Sequence, residues 1–357
     1  MRRLLSVFVL SVALSSIIGS AAEATEVWGN QAAVPNVTPK SPGVLAAGPN
    51  GTVYVVDPAR DEVLERLSDG RFVALAGDGK QGFSGDGGPA RGARLDLLYY
   101  SGIAVGGHGT VYFTDAGNDR VRGVLPNGTI ETIAGGGTVP LGFAPVPARE
   151  ASLGKPYSGV AGLTIGPNGQ LYLATDTGVY RLAPNGDLYW AVGKSEPLPT
   201  NWGGVYSNQA IQNDFTAADR LAFDGAGDLY VAGGGGWGLY EMTATGALQF
   251  IEVFRGEGAG TFGSLASDPD GSVIECYNSG VFARAPDGKT TTIATATKLS
   301  TLLGKENTFT GGYGVAVDSH GDVFVDMDAS VWSSTAALME IHPNGTMTTL
   351  WKLRELP

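Results

Sequence analysis

Short apolar runs, each introduced by a glycine corner, recur along the whole chain. They are Val53-Tyr54-Val55, Val111-Tyr112-Phe113, Leu171-Tyr172-Leu173, Leu229-Tyr230-Val231, Val273-Ile274 and Val323-Phe324-Val325. β-branched and aromatic residues of this kind fit a pleated, buried surface. The corners before them are Pro49-Asn50-Gly51, Gly107-His108-Gly109, Pro167-Asn168-Gly169, Gly225-Ala226-Gly227, Pro269-Asp270-Gly271 and Ser319-His320-Gly321. A second series falls later in each unit: Ser68-Asp69-Gly70, Pro126-Asn127-Gly128, Pro184-Asn185-Gly186, Ala244-Thr245-Gly246, Pro286-Asp287-Gly288 and Pro343-Asn344-Gly345. Asn-Gly supplies the positive φ of a two-residue hairpin turn, and proline presets the φ before it. Each unit reads as four short antiparallel strands. First-series glycines lie roughly 44–60 residues apart, a period of propellers and solenoids.

The pattern predicts an all-β chain: a six-bladed β-propeller of four-stranded antiparallel blades over residues 43–357. Apolar runs without polar alternation imply sheets covered on both faces by neighbouring blades. Strand parity places both corners of every blade on one side of the disc. The second-to-third connections and the links between blades fall on the other side, with the long irregular sequence. Loops carried on a rigid scaffold are where binding concentrates. The segment Pro89-Ala90…Ala93…Leu95…Tyr99 is repeated, with its spacing, as Pro147-Ala148…Ala151…Leu153…Tyr157. Each reads as a short helical turn that drops its Ala and Leu against the next blade. Residues 25–42 form a lead-in, expected to pair with an outer strand of the last blade.

Gly102–Val105 is Gly-Ile-Ala-Val, Gly109–Asp115 is Gly-x-Val-Tyr-x-x-Asp, and Asn118–Val121 is Asn-x-Arg-Val. These elements, within the run from Gly77 to Val124, resemble the NHL-repeat family of β-propellers, especially its secreted bacterial members. The first unit matches in part, through Asp57 and Asp61 to Val63. Later units keep the corners and lose the Asn-x-Arg element. The resemblance implies a propeller and a binding platform of the sort used in extracellular sensor domains. It implies no single activity, because a fold does not carry a function with it.

Composition narrows the partners. Glycine is 55 of 357 residues, about twice the usual share, and serves turns. The formal net charge is −12, with Lys and Arg scattered. That argues against nucleic acid, whose affinity comes from phosphate neutralisation, and against docking on an anionic membrane. Residues 1–24 read as a signal peptide. Arg2 and Arg3 precede an apolar core, Leu4 to Ile18, and small-residue cleavage sites at Ser20-Ala21-Ala22 or Ala22-Glu23-Ala24. The apolar run is shorter than the roughly 20 residues of a spanning helix. A secreted, extracytoplasmic monomer without stable membrane insertion is expected. Cys276 is the one cysteine, so no intrachain disulfide can form, and it reads as core filler.

No catalytic constellation stands out, and Gly-x-Ser-x-Gly is absent. His108, His320 and His342 are expected on the corner side, one per blade and apart from one another, which gives no histidine-metal site. Gluconolactonase-type propellers hold a divalent ion at the channel mouth with Glu, Asn and Asp. Here the residues entering the inner strands are Pro42, Ser101, Ala161, Arg220, Gly263 and Tyr313, with Asp219 the nearby carboxylate. Hard cations need several oxygens, so neither metal nor cofactor is expected. The loop Asp78 to Gly88 lacks the Gly-Lys-Ser/Thr ending of a phosphate loop and reads as turn chemistry. Asp115, Asn118 and Arg120 gather an acid, an amide and a base. Their plainer reading is bonding within a turn, with Arg120 bridging to the neighbouring blade. Trp202, Tyr206, Trp237, Tyr277, Tyr313 and Trp332 fall in or beside long-side loops, where aromatics make binding hot spots. The favoured role is a non-catalytic binding module for a protein, peptide or cell-envelope glycan. The rival role is a metal-dependent lactone hydrolase, or a related propeller hydrolase or lyase.

Overall fold

The computed structural model describes residues 35–40, 43–48, 50–98, 101–154, 162–175, 178–191, 218–233, 238–244, 248–253, 264–277, 279–303, 314–328 and 336–352. Six antiparallel sheets follow one another along the chain. The first holds β1 (Leu45–Ala47), β2 (Val53–Asp57), β3 (Glu62–Arg66) and β4 (Phe72–Ala76). The second holds β5 (Ile103–Val105), β6 (Val111–Asp115), β7 (Arg120–Val124) and β8 (Ile130–Gly135). Three two-residue strands follow, β9 (Val139–Pro140), β10 (Val146–Pro147) and β11 (Ala151–Ser152). Blade 3 is β12 (Gly162–Ile165), β13 (Leu171–Thr175), β14 (Gly178–Leu182) and β15 (Asp187–Trp190), with β10 added to its outer edge. Blade 4 is β16 (Ala218–Phe223), β17 (Leu229–Gly233), β18 (Gly238–Met242) and β19 (Leu248–Val253). Blade 5 is β20 (Ser264–Ser267), β21 (Val273–Tyr277), β22 (Gly280–Arg284) and β23 (Thr290–Thr295). Blade 6 is β24 (Val315–Val317), β25 (Val323–Asp328), β26 (Ala336–Ile341) and β27 (Met347–Lys352). Each inner strand touches the inner strands of both neighbours, and β1 touches both β5 and β24, so the ring is closed. The fold is a six-bladed β-propeller.

The apolar runs are explained by where their two faces go. Successive side chains of a strand point to opposite faces of its sheet. In β2, Val53 and Val55 pack with Ala316, Phe324 and Leu338 of blade 6, whereas Tyr54 and Val56 pack with Ile103, Val111 and Phe113 of blade 2. The apolar core accordingly falls into six clusters, one per blade boundary. The boundary between blades 6 and 1 is filled in the same way as the other five. Cys276 is fully buried at the boundary of blades 5 and 6, as core filler.

The corners differ from the two-residue turns expected. Gly51 N–H donates to the Gly48 carbonyl, and Gly48 N–H donates to the Thr52 carbonyl, so three residues are looped out. The same pair of bonds recurs around Gly109, Gly169, Gly271 and Gly345. This is a type I turn closed by a glycine in the left-handed region. Only the glycine carries positive φ, +79° at Gly51 and +82° at Gly109. The preceding Asn or Asp stays right-handed, and its side chain accepts the N–H two residues on, as Asn50 does from Thr52 and Asn127 from Thr129. That bond is the asparagine's contribution to the corner.

The lead-in corrects another expectation. Val37 N–H donates to the Phe72 carbonyl, and Phe72 N–H donates to Asn36 Oδ1. Residues 36–37 therefore pair with the outer strand of the first blade, not the last. Every blade is complete from its own contiguous segment, which leaves no vacancy for an exchanged strand. The repeated Pro-Ala segments are 3-10 turns, Ala90–Gly92 and Ala148–Glu150, and they bury Ala90, Ala93 and Leu95, and Ala148, Ala151 and Leu153. They also bond along the outer strand of the next blade, Ala90 N–H to the Gly128 carbonyl and Ala148 N–H to the Gly186 carbonyl, and so cover an exposed edge. Helix α1 (Ala296–Leu303) follows blade 5 and was not anticipated; Thr295 caps it through Lys298 N–H, and Leu299 is fully buried. Residues 1–24 lie outside the described residues. No helix among the described residues is long and apolar enough to cross a membrane.

A chain beginning at Gly43 tests this account of the lead-in. It loses three hydrogen bonds, among them Lys40 N–H to the buried Asp57 Oδ2, and the partial burial of Val37, about 3 kcal/mol in all. We expect a single cooperative melt lowered by a few degrees. Loss of cooperative unfolding would mean that the lead-in closes the ring.

Candidate functional site

Asp115, Asn118 and Arg120 come together, but as a structural joint. Asp115 ends β6 and is fully buried. Its Oδ1 accepts Asp96 N–H at 2.7 Å and Asn118 Nδ2 at 2.8 Å, and its Oδ2 accepts Arg122 Nη1 at 3.1 Å. Burial pushes the Asp115 carboxyl up, while those hydrogen bonds pull it back. Arg122, not singled out from the sequence, is fully buried. It also donates to the Ser84 carbonyl and to Asp86 Oδ1, and Asp86 Oδ2 accepts the Thr132 hydroxyl. Asn118 donates to the Gly82 carbonyl. Arg120 bonds the Asn118 carbonyl, and its guanidinium sits 3.9 Å above the Phe83 ring. The Gly-Asp loop is thereby pinned onto blade 2 by a buried arginine and a stacked one. No acceptor of Asp115 is directed at solvent, and the set clamps the loop to the blade.

Five of the six aromatic candidates, Trp202, Tyr206, Trp237, Tyr313 and Trp332, lie outside the described residues. Tyr277 ends β21 and is half-buried, its ring stacked on Phe282 at 4.8 Å. It packs along its own blade.

The six inner strands enclose a channel of about 190 Å³, lined by Leu45, Ile103, Leu163, Leu221, Leu265, Val315 and their strand neighbours. Ser101 and Arg220 lie toward its long-loop end. Ser101 is fully buried, and its hydroxyl accepts Leu98 N–H. Arg220 lies one residue before the channel-lining Leu221 and is 5 % exposed. Alternation puts Arg220 on the Ala222 face of β16 and Glu275 on the Val273 face of β21. Ala222 and Val273 belong to the cluster between blades 4 and 5, so Arg220 and Glu275 project into one boundary. Glu275 is fully buried and accepts Arg284 Nε at 2.5 Å. Arg220 thus enters this boundary toward the long-loop end, and Arg284, opposite Val273, enters it at the corner end. Isolated charges are too costly to bury without partners or purpose.

The two described residues at this end, Ser101 and Arg220, supply no carboxylate oxygen for a divalent ion of the lactonase type. Of the residues entering the inner strands, Ser101 and Arg220 are described, and Arg220 repels a cation. Pro42, Ala161, Gly263 and Tyr313 lie outside the described residues, as does the Asp219 side chain. Among the described residues the one close group of metal-ligating side chains is Asp322, Glu340 and His342, with ligand atoms within 4.8 Å of one another, at the opposite, corner end of blade 6. Contrary to the expectation of isolated histidines, His320 and His342 share that blade. His342 Nδ1 lies 2.9 Å from Asp322 Oδ1, and His320 Nδ1 lies 3.4 Å from Asp318 Oδ2. The hydrogen bond to Asp322 holds the His342 imidazolium above the ordinary histidine range.

No protein-family model matches the chain, and no curated protein matches it in sequence. Solved structures match its fold. One, assigned as a gluconolactonase, is 16% identical with a TM-score of 0.53, over 90% of this chain and 92% of its own. A streptogramin B lyase is 12% identical with a TM-score of 0.52, over 91% and 86%. A catalytically inactive histidine-to-alanine variant of virginiamycin B lyase from Staphylococcus aureus, determined with quinupristin, is 12% identical with a TM-score of 0.50, over 88% and 86%. At such identities the likeness is one of fold.

Two outcomes follow. Removing one member of a buried ion pair costs about 3–5 kcal/mol, so Arg122→Met should destabilise by about 3 kcal/mol or more in chemical denaturation. Arg120→Ala should cost about 1 kcal/mol, the scale of one cation–π contact; equal losses would contradict the assignment of the clamp to Arg122. Because the His342 value is raised in the folded state, its contribution is present below the unfolded value of about 6.5. It is lost as pH rises through the higher folded value. NMR titration should show that raised midpoint in wild type and its return toward 6.5 in Asp322→Asn; an ordinary midpoint in wild type would contradict the pairing.

Proposed function

We propose that the chain is an exported propeller of the NHL kind that acts on a small organic molecule, as a hydrolase or lyase, at the long-loop end of its channel. The observation that carries the reading is Arg220, buried at that end of the channel, with the buried carboxylate of Glu275 on the same blade boundary. A fixed guanidinium in a dry boundary is suited to hold the carbonyl or developing oxyanion of an ester or lactone. The fold is shared with a lyase and with a protein assigned as a gluconolactonase, and this supports the same class. The leader read in residues 1–24 supports export. Among the described residues entering the inner strands at that end none is a carboxylate, so the reading assigns the charge-stabilising role to Arg220.

The test is a panel of lactones and cyclic esters, assayed with and without chelator. Turnover that survives chelation is expected, with an unchanged melting temperature. Arg220→Gln should lower kcat about 100-fold, the scale of losing one oxyanion donor, while the fold is retained. If that variant fails to fold, Arg220→Lys should retain partial activity. Absence of turnover on every member would overturn the catalytic reading and leave a binding module. A chelator-induced drop in melting temperature of several degrees would overturn the metal-free form.

A further inference from the structure

The corner side of the disc is not uniform. Between blades 3 and 4 it opens into a groove of about 560 Å³, within the roughly 300–1,000 Å³ of small-molecule sites. Tyr172, Phe223 and Met242 form its apolar walls. The Tyr172 and Phe223 rings meet edge to face across the blade boundary at 4.9 Å. Asn168 is held in place by its amide, which bonds Gln170 Oε1 and the Tyr172 hydroxyl. Arg181 is the one charged residue among the described residues of the lining, in a chain of net charge −12. Its guanidinium donates to the neutral amide oxygen of Gln170 at 2.5 Å and lies 5.5 Å from the Tyr189 ring centre. No carboxylate among the described residues pairs with it. Arginine has five N–H donors, so one bond to Gln170 leaves most of the fork free.

We propose that this groove binds a small aromatic carboxylate. The ring would lie among Tyr172, Phe223 and Met242, where offset and edge contacts between rings are favourable. The carboxylate would meet the Arg181 fork, whose planar geometry matches two carboxylate oxygens. Charge complementarity selects an acid over a neutral or cationic ligand, since among the described residues the groove offers a guanidinium and no carboxylate. The site is separate from the channel end, and its occupancy does not depend on the catalytic reading above.

Isothermal titration with phenylacetate and indole-3-acetate, against phenylacetamide as the uncharged control, tests the proposal. Saturable one-to-one binding of the acids is expected, with the amide at least about tenfold weaker, the scale of a charge-assisted hydrogen bond. Arg181→Gln should abolish the preference for the acids and leave amide binding unchanged. Met242→Trp should fill the groove and weaken all three ligands. Arg220→Gln should change none of them, which separates this site from the channel. No saturable binding of the acids to the wild-type protein at millimolar concentration, or binding unaffected by both Arg181→Gln and Met242→Trp, would overturn the proposal.

Discussion

Burial of both faces of every blade by its neighbours is the constraint on which this molecule depends. An isolated four-stranded sheet with Val53, Val55 and Phe72 on one face and Tyr54, Val56 and Leu75 on the other would expose two apolar surfaces. Only a ring in which each sheet lies between two others removes both from water, and apolar burial is the dominant favourable term in folding. The boundary between blades 6 and 1 has no exchanged strand among the described residues. It closes by the same side-chain packing as the others.

That constraint explains why the fold was legible in the sequence. A run such as Val111-Tyr112-Phe113 shows no polar alternation because neither side of the sheet is wet. Glycine at the fourth corner position is imposed by a left-handed φ that other residues resist. The helical turns carrying Ala90 and Ala148 were legible because their small residues repeat at one spacing. Partner choice was less so. The lead-in pairs with blade 1 because Phe72 presents an open edge there, and strand counting does not reveal which edge is open. Helix α1 carries a readable signal, Thr295 followed by leucines at 299, 302 and 303, though it is short enough to be taken for a link.

The candidate site was legible only in part. Asp115, Asn118 and Arg120 form one cluster, as their motif suggested, but the partner that defines its character is Arg122. In sequence, Arg122 looks like an exposed strand residue next to Arg120, and only the folded loop over it, through Ser84 and Asp86, shows that it is buried. Arg220 and Glu275 are 55 residues apart in number and meet one boundary only because blades 4 and 5 face each other. Arg181 likewise becomes notable only once the groove shows which charges are missing around it. Charges that interrupt apolar boundaries, at Arg122 and at Arg220 with Glu275, mark two different uses: one clamps a loop, and the other sits beside the channel.

Closure of the ring is the central claim, and Gly314 gives direct access to it. A Cβ there would lie 2.7 Å from the Gly43 carbonyl oxygen and 2.8 Å from the Leu45 nitrogen, across the boundary of blades 6 and 1. Thermal unfolding of Gly314→Val should show one cooperative transition lowered by about 5 °C or more, the effect of overpacking a closed boundary. An unchanged transition, or an early partial one confined to blade 6, would contradict a ring closed by packing.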